Sequence, residues 1–188
     1  FDGRLRWSAH GAVPTVRREG GVAVQDATAW WDAVTDLACE GIRVGGVESA
    51  SIEAVAVTGQ WGSTVPVDAD GLPVGECRLF LDTRGARHTS SFAAGPLVGY
   101  HPRALVWLQH TAGAPSPQGG DPVGHMLSIE RDEPQVAARA RWFLEPVDYL
   151  TMRFTGVPAA TVMSKEFLQH EITEQFTAIV GEMVKRGK

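Results

Sequence analysis

Cysteine is scarce in this chain of 188 residues: Cys39 and Cys77 are the only two. They lie far apart and match neither a zinc spacing nor a CxxC redox pair, so a reduced, cytoplasmic setting fits best. Long apolar runs are also missing. The longest falls well short of the ~20 residues that a membrane-spanning helix needs, and no signal peptide opens the chain. Positive charge is in deficit, with 17 Lys and Arg against 22 Asp and Glu and a formal net charge of -5. That balance argues against nucleic acid or an anionic membrane as the main partner. The six histidines are scattered, with no pair at helical ligand spacing, so no metal site is expected. Neither a P-loop nor a nucleophile elbow around Ser63, Ser90 or Ser91 is present. The "DADG" stretch at 68–71 begins like a calcium loop, but the later ligands and closing Glu are not at the right spacing, and it reads as a hairpin turn. An initiator Met is absent too. The chain opens on "FDGRLRW", as if inside a strand and turn, which is expected of a fragment or a disordered start.

What is there suits one large folded domain. Apolar residues make up 44% and charged residues 21%, enough to bury a core. Strands are expected near 4–10, 52–58, 62–67 and 76–81, with hairpin turns at Asp2-Gly3 and Asp70-Gly71. Ile52, Val55 and Val57 mark 52–58 as a buried strand. An amphipathic helix is expected over 27–43. Asp26 or Thr28 caps it, Trp30, Trp31, Val34, Leu37 and Ala38 form its stripe, and Gly41 or Gly45 ends it. "TRGARHTSSFA" begins a helix or turn, and "HPRALVWLQHTAG" reads as a short helix. A Pro/Gly loop follows, then helices broken at Pro134 and Pro146, with Tyr149 in core or helix-end packing. Strands mixed with helices indicate an α/β sheet domain rather than a bundle.

In such sheets ligands sit beyond the carboxyl ends of strands. Two strand ends deliver polar groups there: Gly59-Gln60-Trp61-Gly62 and Asp82-Thr83-Arg84. A Gln amide, an indole face and a carboxylate suit sugars and polyols, which need hydrogen bonds to hydroxyls and a flat surface for their C–H face. A packing role competes. In it Gly59 and Gly62 only shape a turn, Trp61 is core and Asp82-Arg84 is a surface ion pair.

The ordered set "TGQ", "VDADGLP", "FLDTR", "VQDATAWWDAV" and "ERDEPQVAARARWFLEPVDYLTMRFTG" resembles the N-terminal domain of the FGGY family of carbohydrate kinases, in its xylulokinase-like branch. The resemblance covers residues 1 to 161. It implies an actin-like/ribonuclease H-like mixed sheet flanked by helices, one domain of a two-domain sugar kinase, incomplete at its N-terminus. It further implies transfer of the γ-phosphoryl of ATP, with magnesium, to a sugar or polyol hydroxyl, a reaction that rests on positioning and electrostatics. The chain would then form most of one jaw of a water-excluding clamp, with a separate ATP-binding domain as partner.

Where xylulokinases usually carry Gln-Met-His-Gly this chain has Gln60-Trp61-Gly62-Ser63. The family's sugar-contacting Met-His pair therefore maps to Trp61 and Gly62: a polar contact is lost and a stacking plate gained. Phe80-Leu81 replace the usual Trp before the Asp. On this resemblance Gln60 orients the sugar, Trp61 stacks on it, and Gly62 and Phe80 border it. Asp82 accepts hydroxyl hydrogen bonds and Arg84 braces Asp82. The family's Asp-x-Gly-Thr phosphate loop, its general-base Asp and its ATP domain are not in these 188 residues, so no catalytic residue is assigned and the chain alone is expected to be inactive. After Thr161 the likeness stops. Residues 162–188 read as an amphipathic helix with Leu168, Ile172, Phe176, Ile179 and Met183 on one side. That helix leaves open a homodimer, and an alternative reading of the chain as a truncated, non-catalytic sugar-binding or oligomerisation module.

Overall fold

The computed structural model describes residues 4–102 and 114–159. Strand β1 (Val16–Arg18) turns at Gly20 and Gly21, both with φ near +80°, and pairs antiparallel with β2 (Val22–Gln25). Only glycine takes two successive positive φ values without steric cost, so the Gly-Gly step sets this hairpin. Helix α1 (Ala27–Gly45) follows directly. The Asp26 carboxylate accepts the Thr28 N–H at 2.8 Å, and Gly46, at φ +58°, closes the helix. Ala27 and Trp30 are buried, Trp31, Val34 and Leu37 are half-buried, and Ala38 is exposed, just off the apolar stripe. Gly41 lies inside the helix, where the Trp7 ring packs on it so closely that a Cβ would stand 2.6 Å from a ring carbon.

Strands β3 (Val65–Val67) and β4 (Cys77–Arg78) fall within the expected ranges. Between them Asp68 N–H bonds the Leu72 carbonyl, and Gly71 sits at φ +76°, which makes the expected Asp70-Gly71 turn. Helix α2 (Ala86–Ala93) leads into a small hairpin of β5 (Ala94–Gly95) and β6 (Gly99–Tyr100). Helices α3 (Pro122–Asp132) and α4 (Pro134–Ala137), strand β7 (Trp142–Leu144) and helix α5 (Pro146–Thr155) complete the order. The sheets run β1-β2-β4, β3-β7 and β5-β6, and every pair among the described residues is antiparallel. A Thr64–Arg78 bridge ties the start of β3 to β4. One core gathers Ala23, Trp30, Val65, Val67, Cys77, Leu79, Leu144, Tyr149 and Met152; a second, under α3, gathers Val74, Met126, Ile129 and Phe143.

Two expected strands are absent. Residues 52–58 make no ladder, and Ile52 and Val55 are 45% and 61% exposed. β-Branched side chains fit a pleated surface, but a strand forms only where a neighbour takes its N–H and C=O groups, and none among the described residues does. Residues 4–10 are likewise irregular: β2 is already paired on both edges, by β1 and β4, and Leu5 is exposed. Conversely β7 stands where only broken helix was expected. Its three residues are too few to show a period, and its pairing with β3 (Val65 opposite Leu144) is long-range. The Asp2-Gly3 turn, most of the short helix expected around 101–113 and the helix over 162–188 lie outside the described residues.

Candidate functional site

Residues 59–63 cross the start of α5. A Cβ on Gly59 would lie 3.3 Å from the Val147 nitrogen, so this glycine allows the close approach. Gly62 has φ +76°, a left-handed turn that a side chain there would strain. The turn carries the Trp61 side chain outward, and it is 68% exposed. That exposure is incompatible with Trp61 as a core residue. A Cβ on Gly62 would meet the Phe80 Cβ at 3.5 Å, so the loop lies against the end of the 77–81 stretch. Phe80 is 51% exposed, and Leu81 is exposed beside it. Gln60 is half-buried and donates from Nε2 to Gln25 Oε1 at 3.3 Å, the oxygen that also accepts the Trp30 indole N–H. One amide of β2 thus couples α1 to the loop.

The loop is held from below by Glu145. Gly62 N–H and Ser63 N–H donate to its two carboxylate oxygens at 3.1 and 3.2 Å, and the residue is 2% exposed. Burial pushes this carboxyl up to about 7, the two N–H groups pull it back only in part, and Asp148 adds repulsion. Sequence reasoning missed Glu145. Its signal was slight: a Glu directly before Pro146 stands at the N-cap of α5, a position that Ser, Thr, Asp and Asn prefer, and its side chain makes no cap bond.

Asp82, expected to accept hydroxyl hydrogen bonds, is fully buried with both oxygens engaged. Ala23 N–H donates to Oδ2 at 3.1 Å, Arg84 Nε reaches both oxygens, and an Arg84 terminal nitrogen lies 2.8 Å from Oδ2. Burial alone would raise its pKa, but the Arg84 and Ala23 hydrogen bonds and the Arg84 charge outweigh it and hold the carboxyl below the usual range. Arg84 continues to Glu133 at 3.1 Å, and Glu133 pairs at 2.7 Å with Arg78, whose guanidinium is buried and also bonds Ser128. Asp82–Arg84–Glu133–Arg78 is therefore one alternating chain of charges under the Phe80-Leu81 corner, and Asp82 lies beneath that corner and not at its surface. His125 is buried beside it, paired with Thr64 Oγ1 at 3.0 Å. Burial pushes its pKa down to about 4, so it is neutral at pH 7.

Of the sequence-predicted site residues, Trp61 and Phe80 stand at the surface with Gln60 half-buried beside them, while Gly62, Asp82 and Arg84 support them. A separate cavity of about 160 Å³ lies under the Asp70-Gly71 turn, lined by Trp142, Met152 and Arg153 among others, and does not include Trp61. Tyr149 is fully buried and packs edge-on to Trp30, with its hydroxyl bonded by Arg153 at 3.1 Å.

The family model described as "FGGY family of carbohydrate kinases, N-terminal domain" matches residues 2–168. The chain belongs to the FGGY family of carbohydrate kinases. This FGGY domain is similar to the erythritol kinase of Brucella abortus, with 32% identity over 184 residues, covering 97% of this chain and 34% of that protein. It is 29% identical over 148 residues to the xylulose kinase of Streptomyces rubiginosus, covering 79% of this chain and 28% of that one. Among solved structures it superposes on a xyloylose kinase from Brucella ovis with a TM-score of 0.66 at 24% identity, covering 79% of this chain and 28% of that chain. A xylulose kinase from Rhodospirillum rubrum gives 0.62 at 19% identity, covering 79% of this chain and 29% of that chain. The fold is thus the α/β, actin-like/ribonuclease H-like fold of sugar kinases, present in part. The chain spans about a third or less of the length of the relatives it matches.

Proposed function

We propose that this FGGY domain supplies one jaw of a carbohydrate kinase that transfers the γ-phosphoryl of ATP to a hydroxyl of a sugar or polyol. The observation that carries the reading is Trp61: a large indole held 68% exposed on a loop that is fixed beneath at Gly62 and Ser63. Exposing such a ring forgoes apolar burial, and a ligand or partner surface is the usual reason for it. In this reading the Trp61 face packs on the C–H side of the acceptor, the Gln60 amide orients its hydroxyls, and Phe80 closes the apolar border. The Trp-Gly step offers no imidazole to a ketose, and the reading extends to polyols for that reason. Relatives named as erythritol kinase and xylulose kinase support both acceptor classes.

The family implies ATP and magnesium. Among the described residues no group of three His, Cys, Asp or Glu could hold a metal ion, so the described residues do not fit that group and no step is routed through it here. What these residues contribute is binding, orientation and exclusion of water from the acceptor hydroxyl. No helix among them is long and apolar enough to cross a membrane. The free Cys39 and Cys77 support a cytoplasmic setting for the enzyme.

The test is a coupled ADP-release assay on the protein expressed from its natural reading frame, over a panel containing erythritol, other polyols, xylulose and other ketoses. ADP release that depends on one of these acceptors is expected. Acceptor-independent ATP hydrolysis alone, or no turnover with any of them, overturns the reading.

A further inference from the structure

We propose that Glu145 is the positioning residue of the acceptor-facing loop: its buried carboxylate, by accepting the Gly62 and Ser63 N–H groups together, fixes Gln60 and Trp61 against the substrate. The inference rests on the kinase reading above. Its geometry is independent of that reading. Glu145 stands at the N-cap of α5 but leaves the helix uncapped, and sends its side chain across to the loop instead. Ser63 Oγ is buried with no hydrogen-bond partner, so the Ser63 side chain adds nothing to this anchorage. A carboxylate offers two acceptor oxygens to two parallel N–H groups. A carboxylic acid or an amide offers one oxygen and turns an O–H or N–H donor toward the other.

The consequence is an opposition between fold and loop. Among the described residues the charged or titratable groups that face Glu145 are Asp148 on α5 and Cys77 on β4, and neither brings a positive charge. Its carboxyl titrates at about 7 in the folded chain, above its ordinary 4.5. The sign follows from linkage. A group whose folded pKa is raised stabilises the fold fully below its unfolded value and loses that contribution as pH rises through the folded value. Global stability due to Glu145 therefore falls between pH 4.5 and about 7, and the charged acceptor that holds the loop is gained as pH rises through about 7. A side chain serving only as packing would not move these two properties in opposite directions.

The experiment compares the protein from its natural reading frame with its Glu145→Gln variant across that interval. It reads KM for the acceptor, KM for ATP, the thermal midpoint, and deuterium exchange of the 59–63 amides. In the unsubstituted protein, acceptor KM should rise as pH falls through about 7, and the 59–63 amides should lose protection relative to their intrinsic exchange rate at each pH. Glu145→Gln should raise acceptor KM about tenfold at the alkaline end, leave ATP KM within about twofold, and remove the pH dependence. The midpoint of the unsubstituted protein should fall relative to that of Glu145→Gln as pH rises through about 7. Unchanged loop protection in Glu145→Gln, or a lowered midpoint with both KM values unaltered, overturns the proposal. If the variant does not fold, the pH series on the unsubstituted protein carries the test: loop protection, taken relative to the intrinsic exchange rate, and acceptor KM both indifferent to pH overturn it. Faster loop exchange in a protein with no acceptor-dependent turnover overturns the kinase reading and leaves the Glu145 anchorage standing.

Discussion

Asp82 and Glu145 are both buried carboxylates that accept backbone N–H groups, one on each side of the same surface corner, yet their affinities for protons move in opposite directions. Burial raises both. Asp82 has Arg84 against it and ends below the usual range, whereas Glu145 has two amides, a neighbouring Asp148 and, among the described residues, no cation, and ends near 7. The difference lies in the partner. At Asp82 the Arg84 guanidinium and the backbone N–H groups together outweigh desolvation, and at Glu145 two backbone N–H groups alone do not. Asp82 therefore keeps its charge at any neutral pH. The Glu145 side holds its loop by a charge that the fold only partly tolerates. Beneath the same exposed aromatics lie one permanent support and one conditional support.

The largest expected effect breaks the permanent side. Asp82→Asn takes the charged partner that Arg84 contacts through Nε and a terminal nitrogen, leaving it Glu133, and leaves one oxygen to serve both Arg84 and the Ala23 N–H. Loss of one member of such a buried pair costs about 3 kcal/mol or more, read as a lower midpoint in urea or thermal unfolding. A cost below about 1 kcal/mol would mean that the pair is already hydrated. Glu133→Gln should follow at about 2 kcal/mol. It takes the counter-charge from buried Arg78, but Glu133 is itself 32% exposed, and water replaces part of what is lost.

A pH series sharpens the contrast. The folded pKa of Asp82 is depressed, so its stabilisation is present above its ordinary 3.8 and fades as pH falls below that value. The stability gap between the unsubstituted protein and Asp82→Asn should be flat above about pH 5 and narrow toward acid. The unsubstituted protein should instead lose stability relative to Glu145→Gln toward alkali. Two gaps of the same slope would show that the carboxylates do not differ in the way their partners require.

The permanent support was partly legible in the sequence and the conditional one was not. "FLDTR" places an acid and a base two residues apart, a local spacing, and Arg84 does bond Asp82. Helix α1, the Asp70-Gly71 turn and the breaks at Pro134 and Pro146 were legible for the same reason, since caps, turn residues and prolines act over a few residues. Glu145 meets Gly62 across a long stretch of chain, and nothing near either residue marks the pairing. β3 with β7 is hidden in the same way, by strands of three residues with distant partners. The Ile52, Val55 and Val57 run erred in the other direction, because composition states what could pair and not whether a partner is there. The Gly20-Gly21 hairpin was not expected, although a Gly-Gly step is itself a turn signal. At the site, the Gly-x-x-Gly frame around Trp61 pointed to a turn; that the turn throws the indole outward follows only from φ at Gly62 and its anchorage to Glu145.

The smallest effect on the fold comes with the most direct test. Trp61→Ala, in the protein expressed from its natural reading frame, removes a ring that is 68% exposed and so should leave the thermal midpoint nearly unchanged. Acceptor affinity, titrated calorimetrically on the same sample, should weaken about tenfold, the worth of a stacked ring face of roughly 1 kcal/mol or somewhat more. A midpoint drop reflecting about 3–5 kcal/mol, as for buried Trp truncations, with acceptor affinity unaltered, would contradict the account and remove Trp61 from the site.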